Sequence, residues 1–289
     1  MKTPITKGLA QLGKGSHRKK NAIPKFLPGD FAEIIACLPD GCPVVGGQAV
    51  AWWAEKYGLT GKKNEPITSG DIDFWGGRED LMKMARAMHC KPVFPDKHEM
   101  TVWVGAIQIN IKGERTLAAF VHVIPGLDIP YPEKASVGQE FRATSVKKTI
   151  QVLTPVSLVL AKLYALWRFN QEQRNDELHL NVSLKSSHEF ISELLAQKEV
   201  RLALRDCERL ITARESSKPF RRLEKQFRFD ILGAIPIEKI RLAADDPAQS
   251  AENHRRLVNF IQLRWAHIHG SKDAGAPIEN SSGGTSGAK

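Results

Sequence analysis

The sequence predicts an α+β protein, a mixed sheet with flanking helices followed by a helical C-terminal domain. Three observations predict it. Val44-Val45-Gly46-Gly47 leads into a breaker-free Gln48–Tyr57, which reads as strand, glycine pair and helix. Ile67–Trp75 and the segments from Thr101 to Ile124 carry period-two apolar patterns, as half-buried strands do. After Thr149 the period changes, and helical spacing dominates from Pro155 to His269.

The 289-residue chain is 42% apolar, long enough for one large or two modest domains with ordinary cores. Its formal charge of +10 favours a polyanionic partner. Lys2, Lys7, Lys14, Arg18, Lys19, Lys20 and Lys25 all precede the first acidic residue, Asp30. Residues 1–28 are therefore expected to be a flexible basic arm, serving solubility or RNA contact.

Residues 29–149 are the expected sheet domain. Pro28-Gly29-Asp30 is a turn that opens a short helix over Phe31–Leu38, closed by Pro39-Asp40-Gly41. Thr60–Asn64 is a polar loop, and Ile67–Trp75 follows it as a strand. There Asp71 and Asp73, two apart, project from one face. Gly76-Gly77 ends that strand, and Glu79–His89 carries a methionine and leucine stripe at helical spacing, which marks a core face. Thr101–Gly105 and Ala106–Lys112 read as two strands joined near Val104-Gly105. Phe120–Ile124 adds an apolar segment, and Pro125, Pro130 and Pro132 mark a loop.

Residues 150–269 are the expected helical domain. Thr154 and Pro155 stand as N-cap and first helical residue before Val156–Phe169. Further helices are expected over Ser187–Gln197, Val200–Ala213, Pro219–Ile231 and Ser250–His269, and the Gly/Ser/Ala-rich 270–289 as a disordered tail.

The chemistry concentrates in two stretches. Carboxylates on a rigid strand suit Mg²⁺ or Mn²⁺, which take few protein carboxylates and keep waters or substrate oxygens. Asp71 and Asp73 meet that need. Gly46 and Gly47 lack side chains that would block a phosphate, and they precede a helix N-terminus whose free N–H groups and dipole favour anions. Together they suit a nucleoside triphosphate and its metal.

These residues resemble the nucleotidyltransferase superfamily that includes DNA polymerase beta and CCA-adding enzymes, and within it the AbiEii-type toxins. Val45-Gly46-Gly47-Gln48-Ala49-Val50 and Ser69-Gly70-Asp71-Ile72-Asp73-Phe74 carry the resemblance, with weaker matches at Leu160-Ala161-Lys162-Leu163 and Arg174-Asn175-Asp176. It implies a nucleotidyltransferase-fold sheet. It also implies metal binding by Asp71 and Asp73, and nucleotide binding by Gly46, Gly47, Gln48, Ser69, Lys162, Arg174 and Asp176, with Lys162 assisting catalysis. The expected reaction is transfer of a nucleoside monophosphate from an NTP to an RNA, such as tRNA, or to a protein hydroxyl. A toxin or defence role with a cognate antitoxin or regulatory partner follows from the same resemblance.

The family's third carboxylate has no acidic counterpart: the matching position is Asn110 in Ile109-Asn110-Ile111, and a second alignment uses Val121-His122-Val123-Ile124. An amide can ligate metal but cannot act as a base. Two readings stand: a catalyst rescued by Glu114, His122 or Asp128, or a nucleotide- and RNA-binding module acting through a protein partner.

Other classes are excluded on composition. Cys37, Cys42, Cys90 and Cys207 show neither zinc spacing nor a disulfide framework, which suits a reducing cytoplasm. Lys162 interrupts the longest apolar run, so neither a membrane span nor export is expected. His267 and His269 point in different directions on a helix and lack partners for zinc. Trp52, Trp53, Trp103 and Trp167 are expected in the core, and Arg221, Arg222, Lys225 and Arg228 on a basic helical face.

Overall fold

The computed structural model describes residues 25–96, 102–124, 138–143, 146–169 and 174–269. The expected Pro125–Pro132 loop, the 270–289 tail and nearly all of the basic arm lie outside them.

The chain is α+β, built on a seven-stranded mixed sheet. A 3-10 turn over Pro28–Phe31 leads into α1 (Ala32–Ala36). Strand β1 (Val44–Val45) runs directly into α2 (Gly46–Lys56), and β2 (Ile72–Trp75) into α3 (Arg78–Ala87). Then come β3 (Pro92–Val93), β4 (Trp103–Ile111), β5 (Glu114–Val121), β6 (Gly138–Ala143) and β7 (Lys148–Leu153). The strand order is β3-β4-β5-β2-β1-β7-β6, with β1 parallel to β7, β2 parallel to β5, and the other pairs antiparallel. β1 and β2, which carry the two motifs, are thus central and flanked on both sides. Val44, Ile72, Phe74 and Phe120 are fully buried there.

The helices are α4 (Pro155–Arg168), α5 (Asp176–Ala196), α6 (Val200–Ser216), α7 (Lys218–Phe227), α8 (Ile237–Ala244) and α9 (Ala251–Asn259). A π-helical turn over Phe260–Trp265 continues α9 into α10 (Ala266–His269). Thr154 is extended as the N-cap of α4, with Pro155 in its first turn. None of the helices among the described residues is long and apolar enough to cross a membrane.

Several elements differ from expectation. Trp103–Ile111 is one strand rather than part of a hairpin turned near Val104-Gly105; the turn falls at Lys112-Gly113, whose φ values of 52° and 82° suit a two-residue connection. Gly105 marks a register shift in β4, where an added Cβ would lie 2.6 Å from Leu81 and 2.7 Å from the Val93 carbonyl. Its glycine serves close packing, not chain reversal. Strands β3 and β6 and helix α8 carry no expected element, and α5 begins at Asp176, eleven residues before the expected Ser187. Trp53 and Trp103 are buried, but Trp167 is 42% exposed and is not a core residue.

Two compact units result, one of residues up to Phe190 with Glu208–Ile235, the other of Ile191–Cys207 with residues from Pro236 onward. The first unit joins the sheet to α4, whereas the sequence suggests a boundary near Thr149. Trp53 supplies one reason, donating from Nε1 to the Leu153 carbonyl at 2.8 Å and so tying α2 to the end of β7 beside α4. In the second unit Ile240, Ala244, Leu257 and Phe260 are buried, and His254 Nδ1 lies 2.8 Å from the Ala244 carbonyl.

Candidate active site

Every residue of the candidate site belongs to the first unit. Gly46 and Gly47 form the first turn of α2 instead of preceding it. Gly46 has φ +69°, a conformation costly for any side chain, and an added Cβ would sit 2.3 Å from Asp73 Oδ2. At Gly47 an added Cβ would sit 2.4 Å from Ser69 Oγ and 3.1 Å from His179 Cε1. The glycine pair therefore lets a helix N-terminus, with its unpaired N–H groups, press directly against Asp73 and Ser69.

The carboxylates occupy unlike positions. Asp71 is exposed in the bend just before β2, not on the strand itself, and its Oδ1 accepts from Ser69 Oγ at 3.1 Å. Asp73 is half-buried on β2. Burial, and then the neighbouring Asp71 charge, push the Asp73 carboxyl up to about 7; Lys162 and Arg174 offset only part of this. Two carboxylates thus share a corner that is short of positive charge.

Gln48 has a bracing role. Its buried Nε2 donates to the carbonyls of Phe26 at 3.0 Å and Ser69 at 3.4 Å. Phe26 and Ser69 also exchange both backbone hydrogen bonds, which fixes the loop before Asp71.

A second cluster adjoins this corner. Lys162 on α4 is buried, and its Nζ donates to Asp176 Oδ1 at 2.8 Å. Arg174 donates to the other oxygen of Asp176. Burial alone would raise the Asp176 carboxyl, but Lys162 and Arg174 outweigh it and hold it down at about 2. Lys162 is therefore a paired buried cation, not a snorkelling one.

His179, buried on α5 one turn after Asp176, is a site residue that no sequence motif marks; its Nε2 donates to the Thr68 carbonyl at 3.3 Å. Burial and the Lys162 charge push its imidazole down to about 3, so it stays neutral. The available signal is the i, i+3 spacing from Asp176, which places both on one helix face.

A cavity of about 120 Å³ opens between the clusters. Gly46, Asp73, Lys162 and Arg174 supply its polar part, and Val121, Ile124, Leu158, Ala165 and Phe169 its apolar walls.

Asn110 is not brought to this site. It is exposed near the far end of β4, paired in register with Arg115. The strand position beside Asp73 is Ala119 on β5, whose partner on β4 is Ala106. Ala106 and Asn110 are four positions apart, a distance of about 13 Å along a strand. Glu114 and His122 are exposed, Glu114 at the opposite end of β5 from Val121, and Asp128 lies outside the described residues. The second alignment fares better, since Val121 lines the cavity with Asp73, but its side chain is apolar.

The residues fit a divalent cation as two carboxylates whose charge Lys162 and Arg174 offset only in part, beside a helix N-terminus where no Cβ intrudes. Among the described residues no group of three His, Cys, Asp or Glu side chains is placed to hold a metal ion. Asp71 and Asp73 would hold Mg²⁺ with substrate oxygens and water completing its shell. No protein-family model, curated protein or solved structure matches the chain.

Proposed function

We propose that this protein is a metal-dependent nucleotidyltransferase of the nucleotidyltransferase-fold class, moving a nucleoside monophosphate from an NTP to an RNA or protein hydroxyl. The observation that supports the reading is the close approach of Gly46 to Asp73, where the start of α2 meets a carboxylate pair that Lys162 and Arg174 only partly neutralise. Free N–H groups of α2 hold the phosphate chain, with Ser69 and Gln48 keeping that corner in shape. Lys162 and Arg174, fixed by Asp176, add positive charge to the same cavity. The apolar wall takes the nucleoside and excludes water. The acceptor hydroxyl oxygen bonds to the α-phosphorus as the bond from that phosphorus to the α–β bridging oxygen breaks; pyrophosphate leaves with that electron pair and the hydroxyl proton passes to water. Mg²⁺ bound at Asp71 and Asp73 supplies charge neutralisation of the phosphate oxygens.

Incubation with α-labelled NTPs, Mg²⁺ and total tRNA labels an acceptor in wild type and not in Asp73→Ala. Equal labelling by both proteins overturns the proposal. A second reading, a binding module that holds nucleotide without turnover, is favoured by Ala119 and Val121 on the strand beside Asp73, where a third carboxylate would stand. It predicts nucleotide binding with no pyrophosphate release from any of the four NTPs.

A further inference from the structure

Asp71 has no strand to hold it. It is exposed in a bend, whereas Asp73 sits on β2. A carboxylate on a free bend samples many positions, and a cation bound to it must first restrict them. The three residues before it are nevertheless tied down at every carbonyl. The Thr68 carbonyl accepts from His179 Nε2 at 3.3 Å, and the Ser69 carbonyl from the Phe26 N–H at 3.0 Å and Gln48 Nε2 at 3.4 Å. The Gly70 carbonyl accepts from Thr116 Oγ1. Ser69 Oγ then passes this order to Asp71 by donating to its Oδ1 at 3.1 Å.

These donors differ in origin. Phe26 and Gln48 precede the loop in sequence, and Thr116 lies on β5, the strand beside β2. His179 comes from α5, 111 positions beyond the carbonyl it binds, and is 5% exposed. Gly47 makes the room: an added Cβ there would lie 3.1 Å from His179 Cε1 and 2.4 Å from Ser69 Oγ, so the imidazole and the Ser69 hydroxyl both come up against the start of α2. An aliphatic side chain would fill the same space without desolvating a polar ring. What the imidazole adds is one N–H, and it is spent on the Thr68 carbonyl.

We propose that His179 is a positioning residue for the cation site: by holding the Thr68 carbonyl it fixes Ser69 and, through the Ser69 hydroxyl, the orientation of Asp71. His179 touches neither the cation nor the substrate. The proposal rests on the reading of Asp71 and Asp73 as cation ligands and names a residue that sets their affinity. Asp176, one turn earlier on α5, holds Lys162, so a single helix braces both the cationic and the carboxylate parts of the site.

The test is titration of the full chain with Mn²⁺ alone, the free ion being read by electron paramagnetic resonance, alongside thermal unfolding of each variant. His179→Leu weakens Mn²⁺ binding about 10-fold, as loss of an outer partner of a metal ligand does. His179→Gln, whose Nε2 reaches about as far as that of the imidazole, retains most of the affinity. His179→Asn, one methylene shorter, behaves as His179→Leu, which keeps the comparison available should the leucine variant fail to fold. Ser183→Ala removes a buried hydroxyl that donates to the His179 carbonyl at 2.7 Å; it lowers stability and leaves Mn²⁺ affinity unchanged. Equal affinity in wild type and His179→Leu overturns the proposal, as does affinity that simply follows stability across the four variants. Wild type that binds Mn²⁺ no better than Asp73→Ala overturns the cation reading itself, and the positioning role with it.

Discussion

Asp73 and Asp176 are both desolvated aspartates near Lys162, yet they are pushed in opposite directions. Asp176 is held down at about 2 because Lys162 and Arg174 engage both of its oxygens. Asp73 is pushed up to about 7 by burial first and then by the Asp71 charge, which Lys162 and Arg174, paired with Asp176, only partly offset. In the Asp176 cluster the carboxylate is fully paired by two cations, which fixes the cluster as framework and leaves it net positive. The Asp73 corner is left needing a cation, and that difference separates the part of the site that supports from the part that binds.

The largest expected effect falls on the Asp176 cluster. Lys162→Met removes the chief partner of a buried carboxylate and costs about 3 kcal/mol in denaturant unfolding, whereas Arg174→Ala, at a half-exposed position, costs about 1 kcal/mol. Equal losses would mean that the two cations share Asp176 evenly. Next comes Gly46→Ala, where a positive φ and a 2.3 Å approach to Asp73 coincide. Its cost is above about 1 kcal/mol, and nucleotide binding falls with it, whereas Gly41→Ala, also at positive φ but with open space around it, loses stability alone.

The pH dependence sharpens the contrast. The folded-state pKa of Asp73 is raised, so its contribution is fully present below about 4 and is lost as pH rises to about 7. That of Asp176 is lowered, so its contribution is present above about 4 and is lost as pH falls toward 2. Thermal unfolding of Asp73→Asn therefore loses the decline between pH 4 and 7, and Asp176→Asn loses the decline below pH 4. The smallest effect is Asp71→Asn, which lowers the Asp73 titration midpoint, read by carboxyl NMR, without moving that of Asp176.

Much of this site was legible in the sequence because it is local. The strand, glycine pair and helix, and the Asp-x-Asp at β2, each lie within a few residues, where period and turn chemistry act. What was not legible depends on register and distance. The match of Asn110 to a third carboxylate rests on a local motif, which carries no register; in the sheet Asp73 neighbours Ala119, whose partner on β4 is Ala106. The Lys162–Asp176 pair joins two helices across fourteen residues, and an expected helix start at Ser187 left Asp176 and His179 outside any helix. Strands β3 and β6 carry too little apolar alternation to signal themselves; pairing with β4 and β7 makes them strands.

The central claim, that Asp71, Asp73 and the start of α2 form a metal and nucleotide site, is tested most directly by calorimetric titration with non-hydrolysable NTP analogues, with and without Mg²⁺. Wild type is expected to bind at least one of the four with Mg²⁺ present, and Asp73→Asn to bind it roughly 100-fold more weakly, the upper end of what losing even an outer partner of a bound metal costs. Equal affinity in wild type and Asp73→Asn, or binding indifferent to Mg²⁺, would contradict it.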